Sequence, residues 1–222
     1  MARPVVSKSR PHTKHGKIQN TKHGKIQILR KVILLVAILL GTGYVFIGAS
    51  RWPSGTLAHE AIEWVGFALI VFCILGRTWS SLYIGGRKKK ELVVRGPYSV
   101  TRNPLYLFSI LGAIGVGAQL GSIALALTAG LITWFVFLLV VFKEEETLIF
   151  IYGKVYRSYI ARVPRFFPKP SLWRDVKILE VRPNLVLSTF IDACVFLVAI
   201  PLAETLEFLQ ARSILPILIR FP

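Results

Sequence analysis

The 222-residue sequence is 54% hydrophobic and 18% charged, with a mean hydropathy of +0.58, whereas soluble domains run at about 45–50% apolar and about 25% charged. That balance excludes an ordinary water-soluble globular domain. The formal net charge of +17 invites a nucleic-acid reading, but the basic residues sit at the edges of apolar runs and no groove-reading motif accompanies them, so anionic membrane lipids are the expected partner.

The first 31 residues form a basic tail in which TKHGKIQ occurs twice, at Thr13–Gln19 and Thr21–Gln27. With no apolar face to bury, the tail is expected to be disordered and cytoplasmic, although a lipid anchor or a weak metal site would use the same residues. Val32–Ala49 is uncharged and flanked by Arg30-Lys31 and Arg51, which fits a first membrane crossing and an uncleaved signal anchor. Leu57–Leu75 is the second candidate span, with Glu60 and Glu63 confined to its first turns. Residues 32–76 thus read as two N-terminal transmembrane helices. Leu105–Phe142 is uncharged over 38 residues, or roughly 57 Å as one straight helix, about twice the hydrocarbon thickness. It is therefore expected to fold back as a tight helical hairpin, with the break among Gly115, Gly117, Gln119 and Gly121. Leu185–Leu202, within a C-terminal segment 169–222 that begins as a linker, is the fifth span. The fold class is all-α, polytopic, with about five transmembrane helices.

Charge placement predicts orientation. Of the 28 Lys and Arg, nine precede residue 32, seven fall in 77–103 and nine in 143–184, against one in 50–56 and two after 203. The positive-inside rule then places the N-terminus and both polar segments in the cytoplasm and the C-terminus outside. Cys73 and Cys194 fall in candidate spans and read as packed thiols. His12, His15 and His23 belong to the tail, His59 stands apart, and no zinc-ligand spacing is present, so no metal site is expected. Nucleophile-elbow, P-loop and G-x-G-x-x-G motifs are absent as well.

Two clusters remain that ordinary membrane helices do not need. Gly96-Pro97-Tyr98 leads into Arg102-Asn103-Pro104 and Tyr106; beyond the apolar stretch come Glu144-Glu145 with Leu148, Tyr152-Gly153, Tyr156, Tyr159 and Val163-Pro164. In order and spacing, residues 77–168 resemble the C-terminal half of isoprenylcysteine carboxyl methyltransferases and their bacterial relatives, including phospholipid N-methyltransferases. Asn103 stands where the carboxyl methyltransferases have His, and Phe108 where they have Gly.

The resemblance implies an integral membrane S-adenosylmethionine-dependent methyltransferase acting on a lipid-like or isoprenylcysteine-like acceptor at the cytoplasmic face. S-adenosylmethionine would be the cofactor, held by Tyr98, Arg102, Asn103, Pro104, Tyr106, Glu144, Glu145, Tyr156 and Tyr159. Arg102, Asn103 and Glu144 would carry catalysis. In such a site Arg102 would grip the cofactor carboxylate, the two glutamates would accept from its amino group or ribose, and the tyrosines would pack adenine or face the sulfonium. Each residue also has a plainer reading. Arg102 fits an interfacial anchor, Glu144–Glu146 a solvated helix end, the prolines turn formers and the tyrosines an aromatic belt. Two competing functions share the pattern: an NADPH-dependent reductase of the sterol-reductase type, disfavoured because Glu144–Tyr159 has no Trp, and a non-catalytic lipid-binding membrane protein.

Overall fold

The computed structural model describes residues 48–85, 91–215, 217 and 219–221. The basic tail and almost all of the span expected at Val32–Ala49 lie outside the described residues; Gly48 and Ala49 fall in a short strand, β1 (Gly48–Ser50). The chain is mostly helical, with α1 (Leu57–Ile84), a single turn α2 (Pro97–Val100), α3 (Pro104–Ala118), α4 (Ile123–Tyr152), α5 (Lys154–Ile160), α6 (Pro183–Cys194) and α7 (Ala199–Ala211). A second strand, β2 (Ile219–Phe221), pairs in parallel with β1, Gly48 opposite Ile219 and Ser50 opposite Phe221. This two-stranded piece is a departure from the all-α expectation. Its three-residue strands are too short to show alternation in the sequence.

Helix boundaries follow local chemistry. Thr56 caps α1 by accepting from the His59 amide, and Ser122 caps α4 by accepting from the Leu125 amide, each satisfying a first-turn donor. Pro104 and Pro183 open α3 and α6 at positions where the missing amide is not needed. Gly153, at φ +52°, stops α4 and turns the chain into α5, a conformation that L side chains avoid. α3 and α4 are joined through Gln119–Ser122 and pack side by side.

Three helical runs are long and apolar enough to cross a membrane: Leu57–Ile84, Ile123–Tyr152 and Pro183–Ala211, the last comprising α6, a 3-10 turn at Val195–Val198 and α7. Among the described residues that is three of the four spans expected there, the Val32–Ala49 candidate lying outside them. α3 is apolar but only 15 residues long, roughly 22 Å at 1.5 Å per residue and short of the hydrocarbon thickness. On α4, Leu127, Leu131, Phe135 and Leu139 form a ridge at four-residue spacing, each 57–58% exposed. Water would disfavour such a ridge, and lipid tails accept it.

α1 is the axial helix: it packs most extensively on α3, and also on α6. The α1–α3 seam is built on small residues. A Cβ at Gly66 would come within 2.7 Å of Ala118 Cβ, and one at Gly115 within 2.6 Å of the Gly66 carbonyl, so the backbones meet directly, as small residues allow in membranes. Ile70, Ile74 and Ala193 form the core where α1 meets α6. Ile110, Val141 and Phe166 join α3, α4 and the segment after α5.

Candidate active site

The polar residues singled out in the sequence converge where α1 and α4 end. Segment 96–103 and segment 159–174 are laced together by backbone-directed bonds. The Arg102 amide donates to the Pro164 carbonyl at 2.9 Å, the Lys169 amide to Val100 at 2.9 Å, and the Gly96 amide to Arg174 at 2.8 Å. Thr101 Oγ1 donates to the Arg165 and Phe166 carbonyls, both at 3.1 Å, and Asn103 Nδ2 donates to the Arg165 carbonyl at 3.1 Å. Gly96 has φ +55°, and a Cβ there would fall 2.3 Å from the Tyr83 ring. Glycine is thus required for the turn to close on α1.

At the centre lies Glu145, on the buried face of α4 and 7% exposed. Arg102 Nη1 lies 3.0 Å from its Oε1. Arg165 closes on the same carboxylate in fork geometry, Nε to Oε1 at 3.1 Å and Nη2 to Oε2 at 2.8 Å. The pairing with Glu145 raises the Arg165 guanidinium above its already high range, and its far face lies 4.3 Å from the centre of the Phe142 ring. One carboxylate therefore organises two cations, and their combined charge is net positive. Such bidentate pairs are among the strong ones because each hydrogen bond is charge-assisted.

The tyrosines divide into two roles. Tyr156 and Tyr159 pack with Val163 into a core beside Leu92, Val94 and Leu148, and Tyr159 Oη donates to the Tyr98 carbonyl at 2.7 Å. Burial pushes the Tyr156 phenol up to about 12 and raises Tyr159 further in the same direction, so both stay protonated donors at physiological pH. Tyr98 is also buried, and burial raises its phenol well above the ordinary range, with Tyr159 and Glu144 adding to the shift. Its hydroxyl has no hydrogen-bond partner, and neither does Arg102 Nε. Buried polar groups without partners are rare, and here two of them lie in one cluster. Tyr106 packs against Phe137, ring centres 4.8 Å apart, Pro104 is fully buried, and Glu144 is half-buried one position before Glu145.

The structure thus gathers Tyr98, Arg102, Asn103, Glu145, Tyr156 and Tyr159, and it adds two residues that sequence reasoning set aside. Arg165 directly follows the Val163-Pro164 ending. Arg77, counted by charge with the polar loop, lies inside α1 and bonds Ser109 of α3. Its signal was a lone cation within an apolar helix, which membrane proteins seldom keep without use.

A family model for phospholipid methyltransferases matches residues 62–155. The chain is 34% identical over 195 residues to the nickel-cobalt-cadmium resistance protein NccN of Alcaligenes xylosoxydans xylosoxydans, covering 85% of this chain and 88% of that one. It is 30% identical over 171 residues to the cobalt-zinc-cadmium resistance protein CzcN of Cupriavidus metallidurans, covering 77% and 78%. Protein-S-isoprenylcysteine O-methyltransferase of Schizosaccharomyces pombe is 30% identical over 94 residues, 42% of this chain and 40% of that one. No solved structure matches.

Proposed function

Because the chain belongs to the phospholipid methyltransferase family, whose relatives include isoprenylcysteine methyltransferases, we propose that it is an integral membrane enzyme that moves a methyl group from S-adenosylmethionine to a lipid-like or isoprenylcysteine-like acceptor at the cytoplasmic membrane face. The observation that carries the reading is the Arg102–Glu145–Arg165 cluster, built on a buried carboxylate, with two buried polar atoms, Tyr98 Oη and Arg102 Nε, left without partners. Those atoms are what a bound polar ligand would satisfy.

The residues present fit the cofactor. Bound S-adenosylmethionine would supply an electrophilic methyl group. Arg102, with Nε still available, is assigned to the cofactor carboxylate, a match for its planar fork. Glu144 is assigned to the amino group and Tyr98 to a polar edge. Pro104 and Tyr106 open α3 beside them. Because both Glu145 oxygens already receive guanidinium donors, its part in the reading is to hold Arg102 and Arg165 in place. Tyr156 and Tyr159 fix the Tyr98 turn from behind. Asn103, at the place where carboxyl methyltransferases have His, ties this turn to Arg165 and supplies no general base. A carboxylate acceptor needs none, whereas an ammonium acceptor must reach the site already deprotonated. The chain's contribution to rate is then alignment and field. Anionic lipids flanking the basic segments are the proposed surroundings. NccN and CzcN are named for metal resistance, so the setting proposed for the reaction is a cell under divalent-metal load.

Calorimetry of the full chain in detergent tests the reading, with S-adenosylhomocysteine and NADPH titrated separately. Binding of S-adenosylhomocysteine alone is expected. Binding of NADPH alone would establish a reductase, and binding of neither a non-catalytic lipid protein. Transfer of labelled methyl to a total lipid extract and to a prenylcysteine analogue, with products identified by mass, then names the acceptor.

A further inference from the structure

A second polar cluster lies at the opposite end of α1, a 28-residue helix and so roughly 42 Å long. His59, in its first turn, is 2% exposed. Its ring is held from two sides. Nδ1 lies 3.1 Å from the Trp52 carbonyl, an acceptor only, so Nδ1 carries the hydrogen. Against the ring lies Gly121 at φ +60°, where a Cβ would come within 2.1 Å of Nδ1. The Trp52 carbonyl is itself steadied, because Ser50 Oγ accepts from the Trp52 amide at 3.1 Å and donates to the Gly121 carbonyl at 2.7 Å.

Nε2 is thereby aimed at two carboxylates. It lies 3.3 Å from Glu63 Oε1, one turn along α1, and 3.0 Å from Glu207 Oε1 on α7. Both are ion-pair distances, and the buried nitrogen makes no geometrically defined hydrogen bond. The three ligand atoms lie within 4.8 Å of one another. The second oxygen of Glu207 accepts from Ser54 Oγ at 3.0 Å, so this ligand too is oriented from behind. A histidine with Nδ1 bonded to a backbone carbonyl, Nε2 unengaged, and carboxylates converging on it is the arrangement by which proteins fix a metal-binding tautomer.

We propose that His59, Glu63 and Glu207 bind one divalent transition-metal cation. Nε2 and two carboxylate oxygens would be its protein ligands, and water would fill the remaining positions. The mixed donor set suits Zn2+, Co2+ or Ni2+, with bonds of about 2.0–2.2 Å for zinc. The imidazole argues against Ca2+ and Mg2+, which prefer all-oxygen sites. The ion would offset the charge of the two facing carboxylates and tie the start of α1 to α7. It does not rest on the methyl-transfer reading, whose residues lie at the far end of α1.

The test uses the full chain in detergent, stripped by a chelator and titrated with Co2+, whose visible absorption reports coordination. One ion per chain is expected, together with a Co2+-dependent rise in melting temperature. Glu207→Gln and His59→Gln should weaken Co2+ binding at least about tenfold, while joint replacement of His12, His15 and His23 by Ala should leave it intact. X-ray absorption on the wild-type complex should show one imidazole nitrogen among oxygens, a readout that stands even if a variant fails to fold. The proposal is overturned if the wild type binds no Co2+, which would leave His59 as a structural contact between the two carboxylates. It is equally overturned if the ion is lost with the tail histidines or if its first shell holds no imidazole or several.

Discussion

Glu145 is the clearest case of a side chain whose neighbours decide its job. Its sequence partner Glu144 and the exposed Glu146 carry the same charge, but only Glu145 faces two guanidiniums from a buried position. Removing one member of such a set strands the others. Glu145→Gln is therefore expected to lower stability by about 3 kcal/mol and to weaken S-adenosylhomocysteine binding at least about tenfold, as calorimetry and thermal melts would read. Glu146→Gln should do neither, and equal effects at both positions would mean that bulk charge is responsible. The two bonded tyrosines make a sharper contrast. Tyr159→Phe deletes the donor to the Tyr98 carbonyl and should reduce stability by about 1 kcal/mol. Tyr98→Phe removes a buried hydroxyl that has no protein partner, so its melting temperature should hold or rise while cofactor binding falls. A Tyr98→Phe protein that melts early, with binding intact, would remove Tyr98 from the ligand site. Arg102, Asn103, Glu145 and the tyrosines were legible because their order along the chain is distinctive. That Arg165 shares Glu145 was not, since the pairing depends on how α5 turns back.

The helices were legible where one apolar run meets one local stop signal. Thr56 before Leu57 and Ser122 before Ile123 are such signals, and the break expected among Gly115–Gly121 is where α3 gives way to α4. What the pattern concealed was extent: α1 runs on to Ile84 through Arg77, and α4 to Tyr152 through Lys143 and three glutamates. A helix whose charges project to one side or bond to a neighbour does not end where the hydropathy does. Nor does a single sequence show which small residue receives which large one. Phe108 occupies the place where carboxyl methyltransferases have Gly, and its ring lies over Gly76 of α1, where a Cβ would come within 2.2 Å of it; Phe72 braces the same ring edge-on, centres 5.4 Å apart. The bulk lost on one helix is thus restored from the other. Gly76→Ala should consequently overpack this seam and destabilise by about 1–3 kcal/mol. Adding Phe108→Gly should recover part of that loss, a double-mutant coupling measured by denaturation in detergent. Simple additivity would show that the two residues do not share the space.

The two ends of the molecule differ in kind. At one, β1 and β2 bring residues 48–50 beside 219–221, and His59, Glu63 and Glu207 meet; at the other, the Arg102–Glu145–Arg165 cluster lies among the basic segments 95–102 and 154–174. α1 runs from the first end to the second, so a single crossing by α1 places them on opposite faces of a membrane. Charge counting made the basic end legible from sequence alone. The other end was hidden, because Glu63 and Glu207 stand far apart in the chain and become neighbours only through the packing of α7. The same geometry makes orientation testable. Cysteine reporters at Lys169 and Arg51, both exposed, would be introduced after Cys73 and Cys194 are replaced, and intact cells treated with a membrane-impermeant thiol reagent. The positive-inside rule expects Lys169 to be shielded until the cells are opened and Arg51 to react from outside. The reverse labelling would turn the proposed cofactor site away from the cytoplasm, where S-adenosylmethionine is made, and the methyltransferase proposal would lose its supply of methyl donor. Labelling of both from outside would show that α1 does not cross.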